Sequence, residues 1–138
     1  MIVNRRSFIR QSTLGTCVCL GVSAGLSSCA SYKFVPSQVV GNKLVILKND
    51  FGDGSFVLVK TDQLTEAIFV SHTGDDQYFA VLTKCTHKGC EVRPAANVLR
   101  CPCHGSEYDF EGKVLEGPAE ERLRQFQVET DDEKIYIG

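Results

Sequence analysis

Helical periodicity is the feature that this sequence most clearly lacks. After position 28, no segment repeats apolar residues with a helical period over ten or more positions, which excludes a helical bundle. The 138 residues contain no internal repeat and are too few for two domains with separate cores. What is present is a series of short apolar runs separated by turn residues, at 44–47, 56–59, 67–70, 78–82 and 135–137, and a stretch at 123–128 in which apolar and polar residues alternate. These runs predict one all-β domain, an antiparallel sandwich or barrel of about ten strands.

Positive charge is also scarce. The net charge of the chain is −2, and the segment 1–28 holds three arginines and no acid, so the net charge without that segment is −5. A mildly acidic domain has no electrostatic reason to bind nucleic acid, and we expect no nucleic-acid partner. A protein partner with a lysine-rich face is compatible with this charge.

The segment 1–28 has the pattern of a targeting segment. The sequence RRSFIR at 5–10 precedes an uncharged stretch at 11–28 that is only moderately apolar. It resembles a twin-arginine export signal, in which the arginine pair is followed by one residue, a phenylalanine and an aliphatic residue. The resemblance implies recognition by the twin-arginine export machinery, which carries proteins already folded around a cofactor. The alternative is an uncleaved membrane anchor, since the length of the stretch 11–28 is near the lower limit of about 17–25 residues for a transmembrane helix.

A second signal stands at the end of this segment. The sequence LSSC at 26–29 resembles a lipobox, in which Cys29 is lipidated and becomes the first mature residue. The alternative is ordinary cleavage nearby, with Cys29 unmodified. We divide the chain into a signal peptide at 1–28, a tether at 29–37 and a folded domain at 38–138. The expected location is the periplasm or the outer face of the cytoplasmic membrane, with a lipid anchor if Cys29 is modified.

Histidine is rare, yet it is clustered with cysteine. The chain has three histidines and seven cysteines, and two of the histidines and four of the cysteines lie between positions 85 and 104. The pattern is C-x-H at 85–87, a spacer at 88–100, and C-x-x-H at 101–104, which presents one thiolate and one imidazole from each of two loops.

A structural zinc site with two Cys and two His ligands leaves two cysteines without a role. A disulfide-stapled domain without metal leaves the histidines without one. A Rieske-type centre, with Cys ligands on one iron and His ligands on the other, accounts for all six.

The two loops have the sequences CTHKGC at 85–90 and CPCHGSEY at 101–108. They resemble the Rieske family pattern C-x-H-x-G-C, a spacer, then C-P-C-H-G-S-x-[FY], at every fixed position. The resemblance implies the Rieske fold and one [2Fe–2S] cluster per chain. The ligands that it implies are Cys85, His87, Cys101 and His104.

The same resemblance implies a disulfide between Cys90 and Cys103, which is typical of the high-potential branch of the family. A disulfide requires an oxidising compartment, in agreement with the export signal. Ser106 and Tyr108 are expected to donate hydrogen bonds to sulfur atoms of the cluster, Tyr108 to the sulfur of Cys85, and such donors raise the reduction potential. Gly105 is expected to permit a tight turn beside the cluster.

The resemblance is looser at the surface of the cluster-binding subdomain, which we expect at about 83–119. The sequence GPA at 117–119 resembles the third loop of the family, so Gly117 and Pro118 are expected to begin a loop that covers the cluster from one side. In Rieske subunits of quinol-oxidising cytochrome bc complexes, the position of Lys88, at the docking tip, is usually aliphatic, and a second proline commonly stands at the position of Glu120. A charged tip is poorly suited to an apolar quinol pocket.

These departures favour an exported protein that passes single electrons between a donor and a periplasmic acceptor such as a cytochrome. It would act as a carrier or as the small subunit of a larger oxidoreductase, without turnover of its own. The alternative is the iron–sulfur subunit of a quinol–cytochrome c oxidoreductase, with quinol reached through a membrane partner. A more distant alternative is a structural zinc module.

Overall fold

The computed structural model describes residues 32–74 and 76–138. The twin-arginine motif, the candidate lipobox with Cys29 and the first tether residues lie outside the described residues. Thirteen strands are present in this part of the chain: β1 Phe34–Val35, β2 Gln38–Val40, β3 Lys43–Leu47, β4 Phe56–Val59, β5 Ile68–His72, β6 Tyr78–Leu82, β7 Arg93–Ala95, β8 Val98–Arg100, β9 Glu107–Tyr108, β10 Val114–Glu116, β11 Gln125–Phe126, β12 Val128–Thr130 and β13 Lys134–Ile137.

The predicted all-β class is confirmed. Among the described residues the one helical element is a short 3-10 helix, Lys48–Phe51, and none is long and apolar enough to span a bilayer. The apolar runs expected at 44–47, 56–59, 78–82 and 135–137 lie in β3, β4, β6 and β13, and the run expected at 67–70 lies in β5 except for its first residue.

The strands form three sheets. The main sheet has the order β1-β4-β5-β6-β11, the terminal sheet β12-β13-β3-β2 and the small sheet β10-β9-β8-β7. All pairings are antiparallel except that of β1 with β4, in which Phe34 lies opposite Leu58. Phe34–Val35 lies within the segment that we expect to be a tether, and its pairing joins that segment to the edge of the main sheet.

One predicted strand is divided in the structure. The run at 123–128 contributes β11 to the main sheet and β12 to the terminal sheet. Between them, Gln127 leaves the main-sheet pairing and exchanges two backbone hydrogen bonds with Gly138, of 2.9 and 3.0 Å. The chain therefore turns a corner from one sheet to the next, as strands at the edges of packed sheets commonly do.

The main sheet is buried on both faces, which explains why its strands read as continuous apolar runs. Val57 and Val59 face a core shared with the terminal sheet, whereas Leu58 between them faces a second core. That second core also contains Cys85 and Cys101. The loops with the clustered cysteines and histidines thus rest directly on the apolar interior of the domain.

Candidate metal centre

The first loop, between β6 and β7, is closed by backbone hydrogen bonds. Cys85 N–H donates to Cys90 O at 2.8 Å, and Gly89 N–H donates to Cys85 O at 2.8 Å. Gly89 has φ +75°, a conformation that residues with a Cβ rarely adopt. The turn holds Cys85 inside the protein and brings His87 to its edge.

The second loop, between β8 and β9, has the same construction. Cys101 N–H donates to Ser106 O at 2.8 Å, and Gly105 N–H donates to Cys101 O at 3.0 Å. Gly105 has φ +83°, so the tight turn expected there is present. Each loop therefore buries its first cysteine and presents a histidine at its rim.

A disulfide between Cys90 and Cys103 joins the two loops, and the predicted pairing is confirmed. The Cα atoms of the two cysteines are 6.5 Å apart. The sulfur of Cys101 lies within 4.8 Å of both disulfide sulfurs, but those sulfurs are bonded to each other and offer no thiolate. The disulfide therefore fixes the position of one loop against the other and leaves two free cysteines beside it.

The free cysteines among the described residues, Cys85 and Cys101, are both buried. Burial raises the pKa of the Cys85 thiol, but hydrogen bonds from the Tyr108 hydroxyl and from the backbone N–H groups of His87 and Lys88 outweigh it, and the net shift is downward. Burial raises the pKa of Cys101 more than the neighbouring N–H groups lower it. Both sulfurs nonetheless receive backbone N–H groups, an environment that stabilises thiolate ligands.

The histidine rings of the two loops lie next to each other. The rings of His87 and His104 have centroids 4.8 Å apart and planes at 83°. His104 is exposed and His87 is half-buried. Among the described residues, His87 Nδ1 is the one buried side-chain nitrogen or oxygen atom without a hydrogen-bond partner. A buried imidazole nitrogen in that condition is expected of a metal ligand, so the donor set fits a centre with two thiolates and two imidazoles.

Tyr108 is fully buried beneath the first loop. Its hydroxyl oxygen lies 3.3 Å from the sulfur of Cys85, and it accepts a hydrogen bond from Thr86 N–H at 3.3 Å. Its distance to Thr86 Oγ1 is 3.1 Å. Thr86 Oγ1 in turn donates to the backbone oxygen of Glu121 at 2.6 Å. Neither Thr86 nor Glu121 can be assigned a role from the sequence alone, because a contact with a backbone oxygen places no restriction on residue type.

Ser106 is also fully buried. It contacts the loop at 117–124 between β10 and β11, which begins with Gly117 and Pro118 and is called the covering loop. Ala119 N–H donates to Ser106 Oγ at 3.0 Å. Since the oxygen accepts this bond, the Ser106 hydroxyl proton is left to donate elsewhere. The contact joins the covering loop to the second cysteine–histidine loop.

The surface around His87 is polar. A groove of about 330 Å³ lies between the first loop and the covering loop, and it is lined by Thr86, His87, Pro118, Glu120 and Glu121. Lys88, at the tip of the first loop, is exposed. The two positions at which the sequence departs from quinol-oxidising Rieske subunits, Lys88 and Glu120, are therefore both exposed to solvent beside His87.

Comparisons with known proteins agree with this geometry. Residues 26–127 match the Rieske [2Fe-2S] domain family. The chain is 32% identical to a cytochrome b6-f complex iron-sulfur subunit of Prochlorococcus marinus (strain MIT 9515), over 98% of this chain and 84% of the relative. It is 34% identical to cytochrome b6-f complex iron-sulfur subunit 1 of Nostoc sp. (strain PCC 7120), over 76% of this chain but only 53% of that relative.

A solved structure is similar as well. The cyanobacterial plasma membrane Rieske protein PetC3 from Synechocystis PCC 6803 superposes with a TM-score of 0.58 at 29% identity, over 67% of this chain and 94% of that protein. The family match covers well over half of the chain, so the cofactor is a [2Fe–2S] cluster rather than zinc. The chain belongs to the Rieske [2Fe–2S] domain family, and its role is electron transfer.

Proposed function

We propose that Cys85 and Cys101 bind one iron of the cluster and that His87 and His104 bind the other. The observation that carries the assignment is the meeting of two buried free cysteines with two adjacent imidazoles, one of which has a buried nitrogen without a partner. The cluster supplies one-electron chemistry, and the protein has only to hold it, tune its potential and expose one edge.

The surrounding residues divide these tasks. The second core excludes water from the cysteine side, because Cys85 and Cys101 are packed among its apolar side chains. Tyr108, whose hydroxyl oxygen lies 3.3 Å from the Cys85 sulfur, and Ser106, whose hydroxyl proton is left to donate, are the hydroxyl donors that we assign to the sulfur atoms of the cluster. Donors of this kind stabilise the more negative, reduced form. His104, which is exposed, supplies the edge through which an electron reaches a partner.

We propose further that the protein works outside the cytoplasm, in the periplasm or on the outer face of the cytoplasmic membrane. The twin-arginine pattern at 5–10 and the candidate lipobox ending at Cys29 support this location. The Cys90–Cys103 disulfide supports it independently, because cytosolic thiols are normally kept reduced. The plasma membrane Rieske protein with a similar structure is consistent with a place at that membrane.

The partner that we favour is a redox protein, a periplasmic cytochrome or a larger oxidoreductase subunit. Lys88, Glu120 and Glu121 place charges around His87. Moving such charges into an apolar pocket has a desolvation cost, whereas a wet protein–protein contact tolerates them. The charged tip therefore supports a carrier or small-subunit role over insertion into an apolar quinol pocket.

A second candidate is the iron–sulfur subunit of a quinol-oxidising cytochrome complex. The relatives named as cytochrome b6-f subunits favour it. In that case quinol would be reached through a membrane partner, and the protein would be found in a fixed complex.

The first experiment is an EPR spectrum of the dithionite-reduced protein, followed by a redox titration of the same sample. We expect a rhombic Rieske signal and a clearly positive midpoint potential. A strongly negative midpoint would contradict the high-potential assignment, and the absence of a signal would overturn the proposed ligand set.

Purification from membranes would separate the two roles. A carrier or small subunit of a non-quinol enzyme is expected to purify without cytochrome b, and its reduction by a quinol analogue is expected to be slow. Co-purification with cytochrome b, together with quinol oxidation that requires the Rieske protein, would instead establish the second candidate.

A further inference from the structure

The Tyr108 hydroxyl lies between a sulfur atom and an oxygen atom, each of which can accept a hydrogen bond from it. Cys85 Sγ is 3.3 Å from the hydroxyl oxygen and Thr86 Oγ1 is 3.1 Å from it. The side chain is fully buried, so water does not offer a third partner. Which of these two atoms receives the hydrogen bond depends on the other interactions of Cys85 and Thr86.

Thr86 cannot be the donor in its contact with Tyr108. Its single hydroxyl proton is committed to the backbone oxygen of Glu121, at 2.6 Å, and a carbonyl oxygen can only accept. The N–H of Thr86 already donates to the Tyr108 oxygen at 3.3 Å. Thr86 Oγ1 can therefore interact with Tyr108 only as an acceptor.

The Cys85 sulfur can likewise only accept a hydrogen bond once it binds iron, because a ligand thiolate carries no proton. Two acceptors then face one donor. The Glu121 contact holds Thr86 Oγ1 in place from the covering loop, so the competing acceptor is fixed and does not rotate away.

We propose that Thr86 is a positioning residue that competes with the Cys85 sulfur for the Tyr108 proton and so holds the cluster potential below the value that Tyr108 alone would give. The inference rests on the proposed ligation of iron by Cys85. The covering loop contributes to this competition, because the hydrogen bond from Thr86 to Glu121 fixes the orientation of the Thr86 hydroxyl.

The test is the midpoint potential of Thr86→Val, which replaces the hydroxyl by a methyl group of similar size. We expect the potential to rise, because the Tyr108 proton then has the sulfur as its one acceptor and donors to sulfur stabilise the reduced form. Thr86→Ser keeps the hydroxyl and is expected to keep the potential. Thr86→Ala serves as a second hydroxyl-free variant should valine prevent cluster binding.

The same substitution in a Tyr108→Phe protein separates competition from a structural effect. Without the Tyr108 hydroxyl there is no proton to share, so Thr86→Val is expected to leave the potential of Tyr108→Phe unchanged. A shift of the same size in both backgrounds would mean that Thr86 acts only by holding the covering loop, and it would overturn the inference.

Thr83→Val provides a matched control. Thr83 Oγ1 donates to the Ala67 backbone oxygen at 2.8 Å, the same kind of bond as that of Thr86, but within the described part of the chain no hydrogen bond joins it to Tyr108. We expect this variant to lose stability without a rise in potential. An unchanged or lowered potential in Thr86→Val, with a Rieske EPR signal present, would refute the inference alone, whereas a missing signal in the unaltered protein would refute the proposed ligands.

Discussion

The backbone N–H of Ala119 donates a hydrogen bond to the hydroxyl oxygen of Ser106 at 3.0 Å, and both residues are buried. The bond ties the covering loop to the second cysteine–histidine loop. It also orients the hydroxyl, because an oxygen that accepts from Ala119 directs its own proton to the other side. A main-chain contact 13 residues along the sequence thus orients the hydroxyl that we propose as a donor to the cluster.

Removal of either buried hydroxyl should lower the reduction potential while the cluster is kept. A hydrogen bond contributes about 1 kcal/mol, which for one electron corresponds to roughly 40 mV per hydroxyl lost in Ser106→Ala or Tyr108→Phe. Redox titration followed by EPR measures the change. Tyr136→Phe removes a hydroxyl that binds Asp131 on the terminal sheet and should leave the potential unaltered. Equal potentials in all three variants would show that the buried donors do not act on the cluster.

Replacement of one proposed ligand from each pair should abolish the cluster. Cys101→Ser and His104→Gln each remove a donor that the remaining loop residues cannot replace, and we expect loss of bound iron and of the EPR signal. His72→Gln is the matched control, because His72 lies at the end of β5 and packs against Phe51 and Tyr78. Retention of a full complement of iron in either ligand variant would refute that residue's assignment.

Loss of the disulfide should make the cluster site less stable towards denaturant. Cys90 and Cys103 close a loop of sequence separation 13, and a cross-link of this length contributes roughly 3 kcal/mol. In Cys90→Ala/Cys103→Ala we expect the visible absorption to bleach at lower denaturant concentration than in the unaltered protein. Coincident bleaching curves would indicate that the metal alone holds the two loops together.

Acid should destabilise the terminal hairpin of β12 and β13 through Asp131. Backbone N–H groups of Glu133 and Lys134 and the Tyr136 hydroxyl lower the pKa of Asp131 from 3.8. A carboxyl whose pKa is lower in the folded state stabilises that state above its unfolded pKa, and this contribution is lost as the pH falls through the folded pKa. Asp131→Asn should therefore show a smaller loss of thermal stability in acid than the unaltered protein.

A carboxyl on another turn provides the comparison for this measurement. Asp53→Asn changes an exposed residue outside the hairpin, and its acid profile is expected to follow that of the unaltered protein. If Asp131→Asn also follows that profile, the hydrogen bonds of Asp131 do not contribute to folding stability.

The amino-acid sequence by itself determined the class of domain and the identity of the site. Short apolar runs separated by turn residues predict an all-β domain, and the structure shows that runs such as β4 belong to a sheet buried on both faces. The spacing of cysteines and histidines at 85–90 and 101–108 indicates a Rieske centre, because ligand chemistry restricts residue type at each position. Through the family resemblance it also implies the Cys90–Cys103 disulfide, which the structure contains.

Only the tertiary structure decided the features that depend on backbone atoms distant in sequence. The corner at Gln127, which divides the run at 123–128, follows from its pairing with Gly138. The bond from Ala119 to Ser106 and that from Thr86 to Glu121 likewise use N–H and C=O groups that every non-proline residue carries. Such groups place no restriction on residue type. The sequence therefore indicates which metal centre is built, whereas the packing of the covering loop decides how the Ser106 and Thr86 hydroxyls are oriented.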